Sequence, residues 1–201
     1  MRLNSNNQGI KHYALTPDFS YTMGIKPITT ERLLLIPFTL ETATSLLKGD
    51  LSVLHKLGLK ITNHWPDQEA TETLPKIILN LELPGGPTGF ESWMVVLREE
   101  KAVIGDAGFK GGPDTCGAVD LGYAIIEQEQ RKGYGLEVAQ ALTGWALSHR
   151  EVQCVTARCL LENTGSIRIL EKLGMCEVHR DEDMIYWQTS NHASAPGAAT
   201  S

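Results

Sequence analysis

The stretch Gln130-Arg131-Lys132-Gly133-Tyr134-Gly135 is a glycine-rich turn with two adjacent basic residues. An apolar stretch, 118–126, precedes it and an amphipathic stretch, 136–149, follows it, which predicts a strand, a tight turn and a helix in that order. The start of a helix has backbone N–H groups without partners and a partial positive charge. Glycines let the backbone approach a ligand closely, and the basic side chains add full positive charge. The turn therefore predicts a site for a phosphate or pyrophosphate group.

The other helices and strands are predicted from hydrophobic periodicity and capping residues. Helices are expected after Thr39, Asp50 and Asp67, because these residue types commonly cap helix N-termini. A further helix is expected after Asn163, and Pro75 is expected to kink or split the helix that contains it. The three strands that directly precede the glycine-rich turn are expected to form an antiparallel meander. The expected strands, in chain order, are 32–38, 93–98, 102–109, 118–126, 152–160, 175–179 and 184–187.

The composition is that of one ordinary globular domain. The chain has 201 residues, of which 42% are hydrophobic and 21% are charged, so a sizeable core can form. A net charge of −6 argues against nucleic-acid binding through a broad basic face. No apolar stretch approaches the roughly 20 residues of a membrane span, and the N-terminus has no apolar signal core, so a cytoplasmic protein is expected. The four cysteines form no CxxC pair, which favours structural thiols over disulfides or a metal site.

Composition also predicts where the domain begins and ends. Residues 1–25 are polar and weakly patterned, and they are expected to be an N-terminal extension. Residues 26–188 are expected to form the domain. Residues 189–201 are rich in Ser, Ala, Gly and Pro, which predicts a flexible C-terminal tail.

The turn and the order of elements together resemble the GCN5-related N-acetyltransferase (GNAT) superfamily. The family turn has Gln or Arg, then Gly, then Gly or Ala, at the positions held here by Gln130, Gly133 and Gly135. Other segments resemble the branch that includes the ribosomal-protein alanine N-acetyltransferases. These segments are 30–35 in the first strand, 120–123 in the central strand, and 162–166 and 171–175 around the helix after Asn163. The resemblance spans about residues 29 to 188.

The resemblance implies an α/β (α+β) fold. Its mixed, mostly antiparallel central sheet would have six to seven strands, a central splay and flanking helices. It also implies acetyl-CoA as the cofactor and a small-molecule or peptide amine as the acceptor, with direct attack in a ternary complex. No nucleic-acid or membrane partner is expected, and the protein is expected to be a monomer or a homodimer. The net acidity of the chain favours a cationic acceptor.

The same resemblance implies a set of cofactor-binding residues. In the family, the strand before the turn separates from its neighbour at a bulge, and the pantetheine arm bonds to the backbone groups freed there. A backbone N–H in that splay would polarise the thioester carbonyl. The implied cofactor-binding residues are Ile125, Ile126, Glu127, Gln130, Arg131, Lys132, Gly133, Tyr134, Gly135 and Asn163.

Two carboxylates are candidates for the base that removes a proton from the acceptor amine. Asp120 is the first candidate, because it matches a position where the resembled branch usually has Glu, although it also fits an ordinary carboxylate at a strand edge. Asp106, in the middle of another strand, is the second candidate. A peptide N-terminal amine has a pKa near ~8, so a weak base or water alone would also suffice.

The leaving thiolate of CoA needs a proton, and the residues that could supply it differ from those of much of the superfamily. The position that often holds Tyr is Leu170 here. Ser166 matches the proton donor of the resembled branch, but a Ser at this place after Asn163 also fits helix capping alone. The missing Tyr leaves a second function open, a non-catalytic acyl-CoA-binding or sensing module that keeps the turn and lacks the base.

Overall fold

The computed structural model describes residues 24–84 and 87–190. The strands are β1 (Ile28–Thr29), β2 (Leu33–Pro37), β3 (Ser92–Leu97), β4 (Val103–Phe109), β5 (Ala118–Ile125), β6 (Cys154–Leu160), β7 (Cys176–Arg180) and β8 (Met184–Ser190). The helices are α1 (Leu40–Leu47), α2 (Ser52–Lys56), α3 (Gln68–Leu81), α4 (Tyr134–Leu147) and α5 (Thr164–Lys172), with a short 3₁₀ turn at Glu127–Glu129.

The described strands form one mixed sheet in the order β1-β2-β3-β4-β5-β6-β8-β7. Neighbouring strands are antiparallel except β5 and β6, which are parallel. The α/β fold class and the three-strand meander before the glycine-rich turn are thereby confirmed. The sheet has eight strands rather than six or seven, because the two-residue β1 adds an edge that is too short to predict from periodicity.

Local capping determines where the helices begin. The side chains of Thr39, Asp67 and Asn163 each accept a hydrogen bond from a backbone N–H of the first turn of α1, α3 and α5, as predicted. The Asp50 carboxylate accepts from Ser52 N at 2.9 Å, but Leu51 is the residue at the cap position of α2. Pro75 does not split α3, which is one continuous helix through it.

The two faces of the sheet carry different helices. Phe109 of β4 stacks on Trp145 of α4, with ring centroids 6.0 Å apart, so α4 covers the face to which Phe109 points. Because side chains alternate along a strand, Asp106 points to the opposite face. The start of α3 lies on that opposite face, since the charges of Asp67 and Glu69 act on the Asp106 carboxyl.

The centre of the sheet opens along one strand, as the predicted splay requires. Pairing of β5 with β6 runs from Ala118 opposite Cys154 to Leu121 opposite Ala157, and it stops there although both strands continue. We call residues 118–121 the closed half of β5 and residues 122–125 its open half. The open half still pairs with β4, up to Ile125 opposite Gly105.

A glycine in β4 permits this geometry. A Cβ added at Gly105 would lie 2.1 Å from the backbone oxygen of Ala124, so no other residue fits beneath the open half of β5. The nearby register irregularity lies between β3 and β4, where Val95 pairs with Gly105 and Val96 pairs with Val103. The splay therefore begins where β6 departs, and the bulge beside it lies on the other side of β4.

The last described strand, β8, reaches the end of the described residues. β8 continues to Ser190, two residues beyond 188, because Thr189 and Ser190 pair with β6. The remainder of the predicted tail, and residues 1–23 of the predicted extension, lie outside the described residues. Within the described part of the chain, no helix is long and apolar enough to cross a membrane.

Candidate active site

A cleft of about 490 Å³ joins the glycine-rich turn to the open half of β5. One wall is formed by β5, the turn and the first turn of α4, the second by α5, and α3 contributes one residue. The residues that line the cleft are Glu69, Tyr123, Ala124, Ile125, Gln130, Arg131, Gly133, Gly135, Leu136, Asn163, Gly165, Ser166, Arg168, Ile169 and Lys172.

The turn presents the start of α4 without a side-chain cap. Gly133 holds the N-cap position with φ 88°, and within residues 24–84 and 87–190 no side-chain hydrogen bond caps the first turn of the helix. Arg131 is also left-handed, with φ 60°. The Gln130 side chain donates to the Ile125 oxygen at 2.8 Å and so holds the turn against the end of β5. Free N–H groups, the helix dipole and an adjacent arginine make this end of the cleft suited to an anion.

An ionic network behind the turn holds it in place. The Arg32 Nε donates to Glu137 Oε2 at 2.7 Å, and the Arg32 guanidinium also donates to the Lys132 oxygen at 2.9 Å. The same guanidinium lies 4.5 Å from the centre of the Tyr134 ring. Thr30 also donates to Glu137. Burial by itself would raise the pKa of Glu137, but the hydrogen bonds from Thr30 and Arg32 hold it below its ordinary value. The network ties the start of β2 to the first turn of α4.

Basic residues on α5 add positive charge to the opposite wall. Arg168 and Lys172 lie one turn apart on α5, and both line the cleft with Arg131. Sequence reasoning missed this pair and Arg32. The spacing of two basic residues four positions apart on a helix was an available indication for the pair, whereas no local pattern marked Arg32.

The structure brings part of the sequence-predicted set together at the cleft. The predicted residues that line it are Ile125, Gln130, Arg131, Gly133, Gly135, Asn163 and Ser166. The predicted residues that do not line it are Asp106, Asp120, Ile126, Glu127, Lys132 and Tyr134.

The residues outside the cleft have other surroundings. Ile126 is buried, and its N–H donates to the Ile104 oxygen at 2.9 Å. Glu127 is exposed in the 3₁₀ turn, and the Lys132 ammonium pairs with Glu129 at 2.9 Å. The alternation of strand residues and the 3₁₀ turn after β5 direct these side chains away from the cleft.

Asp120 lies in the closed half of β5 and is already paired. Its carboxylate forms an ion pair with Lys110, and its other oxygen, Oδ1, is buried without a hydrogen-bond partner in the described residues. It lies opposite Thr156 of β6, before the two strands separate. The first candidate base is therefore held by a neighbouring cation at a position outside the cleft.

Two hydroxyl groups lie on the α5 side of the open half. Burial raises the pKa of Tyr123 to about 12, and the nearby Ser166 hydroxyl opposes that shift only in part. Tyr123 is therefore protonated at neutral pH, so it can donate a proton but cannot act as a base. Leu170, at the position where the resemblance led us to look for a Tyr, is buried and has a side chain without a polar atom.

Asp106 lies on the other face of the open half. It is partly buried and lies directly opposite Ala124, which lines the cleft. Burial raises the pKa of Asp106 to about 7, and the charges of Glu69 and Asp67 add to the shift. The carboxyl thus holds a proton at mildly acidic pH and releases it near neutrality.

Comparisons with known proteins agree with this geometry. The sequence model of the acetyltransferase (GNAT) domain matches residues 32–176. A Bacillus subtilis (strain 168) protein, the uncharacterized N-acetyltransferase YjdG, is 34% identical over 160 residues, which are 80% of this chain and 95% of that protein.

Two solved structures share the fold at low sequence identity. A ribosomal-protein-S5-alanine acetyltransferase from Vibrio fischeri superposes with a TM-score of 0.59 at 17% identity, covering 86% of this chain and 100% of that one. RimL, a ribosomal L7/L12 α-N-protein acetyltransferase in complex with coenzyme A, superposes with a TM-score of 0.59 at 16% identity, covering 84% and 100%.

Proposed function

The chain belongs to the acetyltransferase (GNAT) family, and from this membership we propose that it acetylates the primary amine of a small molecule or of a protein N-terminus by direct attack in a ternary complex. The chain is an N-acetyltransferase, and its acetyl donor is acetyl-CoA. One observation supports the proposed mechanism most directly: a single cleft connects an uncapped helix start to the unpaired edge of a central strand.

The residues present suit the parts of acetyl-CoA. The uncapped start of α4 and the Arg131 side chain would hold the pyrophosphate, and Arg168 and Lys172 would supply further charge for phosphate. The open half of β5 would bind the amide groups of the pantetheine arm, because β6 no longer pairs with its backbone. When bound, acetyl-CoA supplies an activated acetyl thioester. The Arg32–Glu137 network would keep the turn ordered around the pyrophosphate.

The residues proposed from sequence for proton transfer have different structural support. Ser166 lines the cleft beside Tyr123, which suits a role in delivering a proton to the sulfur of CoA. Asp120 lies outside the cleft and is paired with Lys110, so as a base it would have to act through water. The proposed mechanism uses no metal.

The proposal is tested by acetyl-CoA turnover, measured as free thiol release against a panel of amines. The panel contains a polyamine, a free amino acid, an aminoglycoside and peptides with free N-termini. Thiol release that depends on an acceptor amine is expected for at least one class. Saturable binding of CoA without acceptor-dependent thiol release from any class would instead support a binding or sensing module.

Replacing Gly133 with alanine tests the anion site. The residue has φ 88°, which an L-residue adopts only at a cost of about 1–2 kcal/mol, and the added Cβ would meet Arg32 Nη2 at 3.2 Å. We expect the Kd for acetyl-CoA, measured by calorimetry, to rise by about tenfold as the turn shifts. Gly49→Ala is the matched control, because Gly49 has φ 77°, no atom within 4 Å of the added Cβ, and no contact with the cleft. Equal affinity in the two variants would contradict the assignment.

A further inference from the structure

Asp106 is a carboxyl group without a partner in the middle of a sheet. Within the described residues its side chain has no hydrogen bond and no ion pair, and its register neighbours Met94 and Ala124 carry no charge. An unpartnered, partly buried carboxylate lowers the stability of a folded protein, because its charge loses hydration and gains nothing in return. Such a cost indicates a group that the site requires.

The position of Asp106 connects it to the cleft. It is the direct cross-strand neighbour of Ala124, and side chains in such pairs lie about 5 Å apart at their Cβ atoms. Ala124 lines the cleft in the open half of β5, and Glu69 lines it from the first turn of α3. Asp67, the cap of α3, lies close enough to act on Asp106 electrostatically.

The residues at the cleft therefore carry charges of both signs. Arg131 at the turn and Arg168 and Lys172 on α5 line the cleft with positive charge. Glu69 lines the cleft from α3, and Asp106 lies near enough to Glu69 and Asp67 to feel their charges, so negative charge gathers on the α3 side. A phosphate-bearing ligand and a cationic ligand would thus each find residues of opposite charge.

Resting on the function proposed above, we propose that Asp106 and Glu69 form the acceptor subsite, in which both carboxylates bind the ammonium group of a cationic amine and Asp106 takes its proton. The ammonium passes one proton to Asp106 and becomes a neutral amine. The nitrogen lone pair forms the new C–N bond, and the C–S bond of the thioester breaks with its electron pair on sulfur. A second proton leaves the nitrogen and ends on sulfur, giving the amide and the CoA thiol. Asp106 then returns its proton to solvent.

The electrostatic setting of Asp106 suits this role. Burial and the charges of Glu69 and Asp67 place its pKa at about 7, so near neutral pH it is ionised often enough to accept a proton and basic enough to hold it. Asp120 lies on the same face of the sheet, but its charge is neutralised by Lys110 in the closed half of β5. Asp106, which pairs with Ala124 of the open half, has no such cation beside it in the described part of the chain.

The test measures kcat/KM between about pH 5.5 and about pH 9 with the best acceptor of the amine panel. The variants are Asp106→Asn, Asp120→Asn, Glu69→Gln and Glu72→Gln. Glu72 is the matched control for Glu69, because it is an exposed glutamate one turn later on α3 and does not line the cleft. The ionisation of the acceptor is common to all variants, so a limb of the pH profile that changes between them belongs to the enzyme. Binding of the same amine to the enzyme loaded with CoA is measured in parallel by calorimetry.

Asp106→Asn is expected to lower kcat/KM at about pH 8 by about 100-fold or more and to abolish the rising limb centred near pH 7. Its Kd for acetyl-CoA is expected to stay within about twofold of wild type, while amine binding weakens by about tenfold. Glu69→Gln is expected to move the limb to lower pH, because one of the charges that raises the pKa of Asp106 is lost. Glu72→Gln is expected to match wild type.

The proposal is overturned if Asp106→Asn keeps the limb and a kcat/KM within about threefold of wild type. It is equally overturned if Asp120→Asn, and not Asp106→Asn, removes the limb. Unchanged amine binding in both Asp106→Asn and Glu69→Gln would also show that these two carboxylates do not form the acceptor subsite. If the wild-type enzyme binds acetyl-CoA but acetylates no amine, the proposed function itself fails, and the amine-binding measurements still decide whether the subsite exists.

Discussion

The closed and open halves of β5 are consecutive segments of one strand with opposite surroundings. β6 pairs with residues 118–121, whereas residues 122–125 pair with β4 alone. In the closed half the one carboxylate, Asp120, is matched by Lys110. In the open half the facing carboxylate, Asp106, has no hydrogen bond or ion pair with any residue that the structure describes, and the strand edge borders the cleft. The difference follows from the loss of one neighbouring strand, because the backbone groups and nearby side chains of the open half are no longer engaged by β6.

Closing the space beneath the open half is expected to have the largest effect. Gly105→Ala would place a Cβ 2.1 Å from the backbone oxygen of Ala124, and a backbone atom cannot move aside cheaply. We expect a loss of about 3 kcal/mol in the free energy of unfolding, measured by chemical denaturation.

Gly122→Ala is the matched control for this prediction. Gly122 lies in the open half itself, and an added Cβ there meets no atom within 4 Å. Its free energy of unfolding is expected to stay within about 1 kcal/mol of wild type. Similar losses in the two variants would show that Gly105 is not what allows the strands to approach.

Neutralising Asp106 is expected to stabilise the fold at high pH. The pKa of this carboxyl is about 7 in the folded protein against 3.8 for the unperturbed group, so between these values the folded state binds the extra proton. The stability of the wild-type protein therefore falls as pH rises through this window. Asn does not titrate, so the Asp106→Asn variant does not lose this stability. Because the side chain is partly exposed, we expect Asp106→Asn to gain about 1–3 kcal/mol over wild type at about pH 8 and little at about pH 4.

Thermal unfolding of both proteins at the two pH values checks this gain. Glu72→Gln serves as the control, since removal of an exposed charge elsewhere on the molecule should leave the pH dependence of wild type intact. A difference between Asp106→Asn and wild type that does not grow with pH would mean that Asp106 is paired in the folded protein.

Breaking the ion pair of the closed half is expected to have the smallest effect. Lys110→Gln leaves Asp120 without its cation, but the Lys110 and Asp120 side chains are 50% and 31% exposed, so solvent screens the pair. We expect a loss of at most about 1 kcal/mol in stability and an unchanged Kd for acetyl-CoA. A marked rise in that Kd would connect the closed half to the cofactor site and erase the distinction between the two halves.

Much of the fold could be predicted from local sequence. The caps Thr39, Asp67 and Asn163 act on N–H groups within three residues, so their roles follow from residue type and spacing. The continuous passage of α3 through Pro75 could not be predicted, because packing of Leu74 and Ile77 in the core outweighs the lost hydrogen bond. β1 escaped prediction because two residues show no periodicity.

The candidate site divides in the same way. The glycine-rich turn was evident from the chain, because glycines, basic residues and a helix start lie within six consecutive positions. The partners of the turn were not evident: Arg32 is 105 residues from Glu137, and no spacing rule connects them. Arg168, Lys172 and Glu69 reach the cleft only through the packing of α5 and α3.

The sequence by itself determined most helix starts, the meander and a glycine-rich basic turn after the central strand, because each depends on residues close together in the chain. Only the tertiary structure decided which carboxylate is free. Asp120 and Asp106 are alike in residue type and strand position, but Lys110 lies beside Asp120, whereas Asp106 has uncharged neighbours and two acidic residues of α3 nearby. The charge state and availability of a side chain depend on neighbours that the fold brings from elsewhere in the chain.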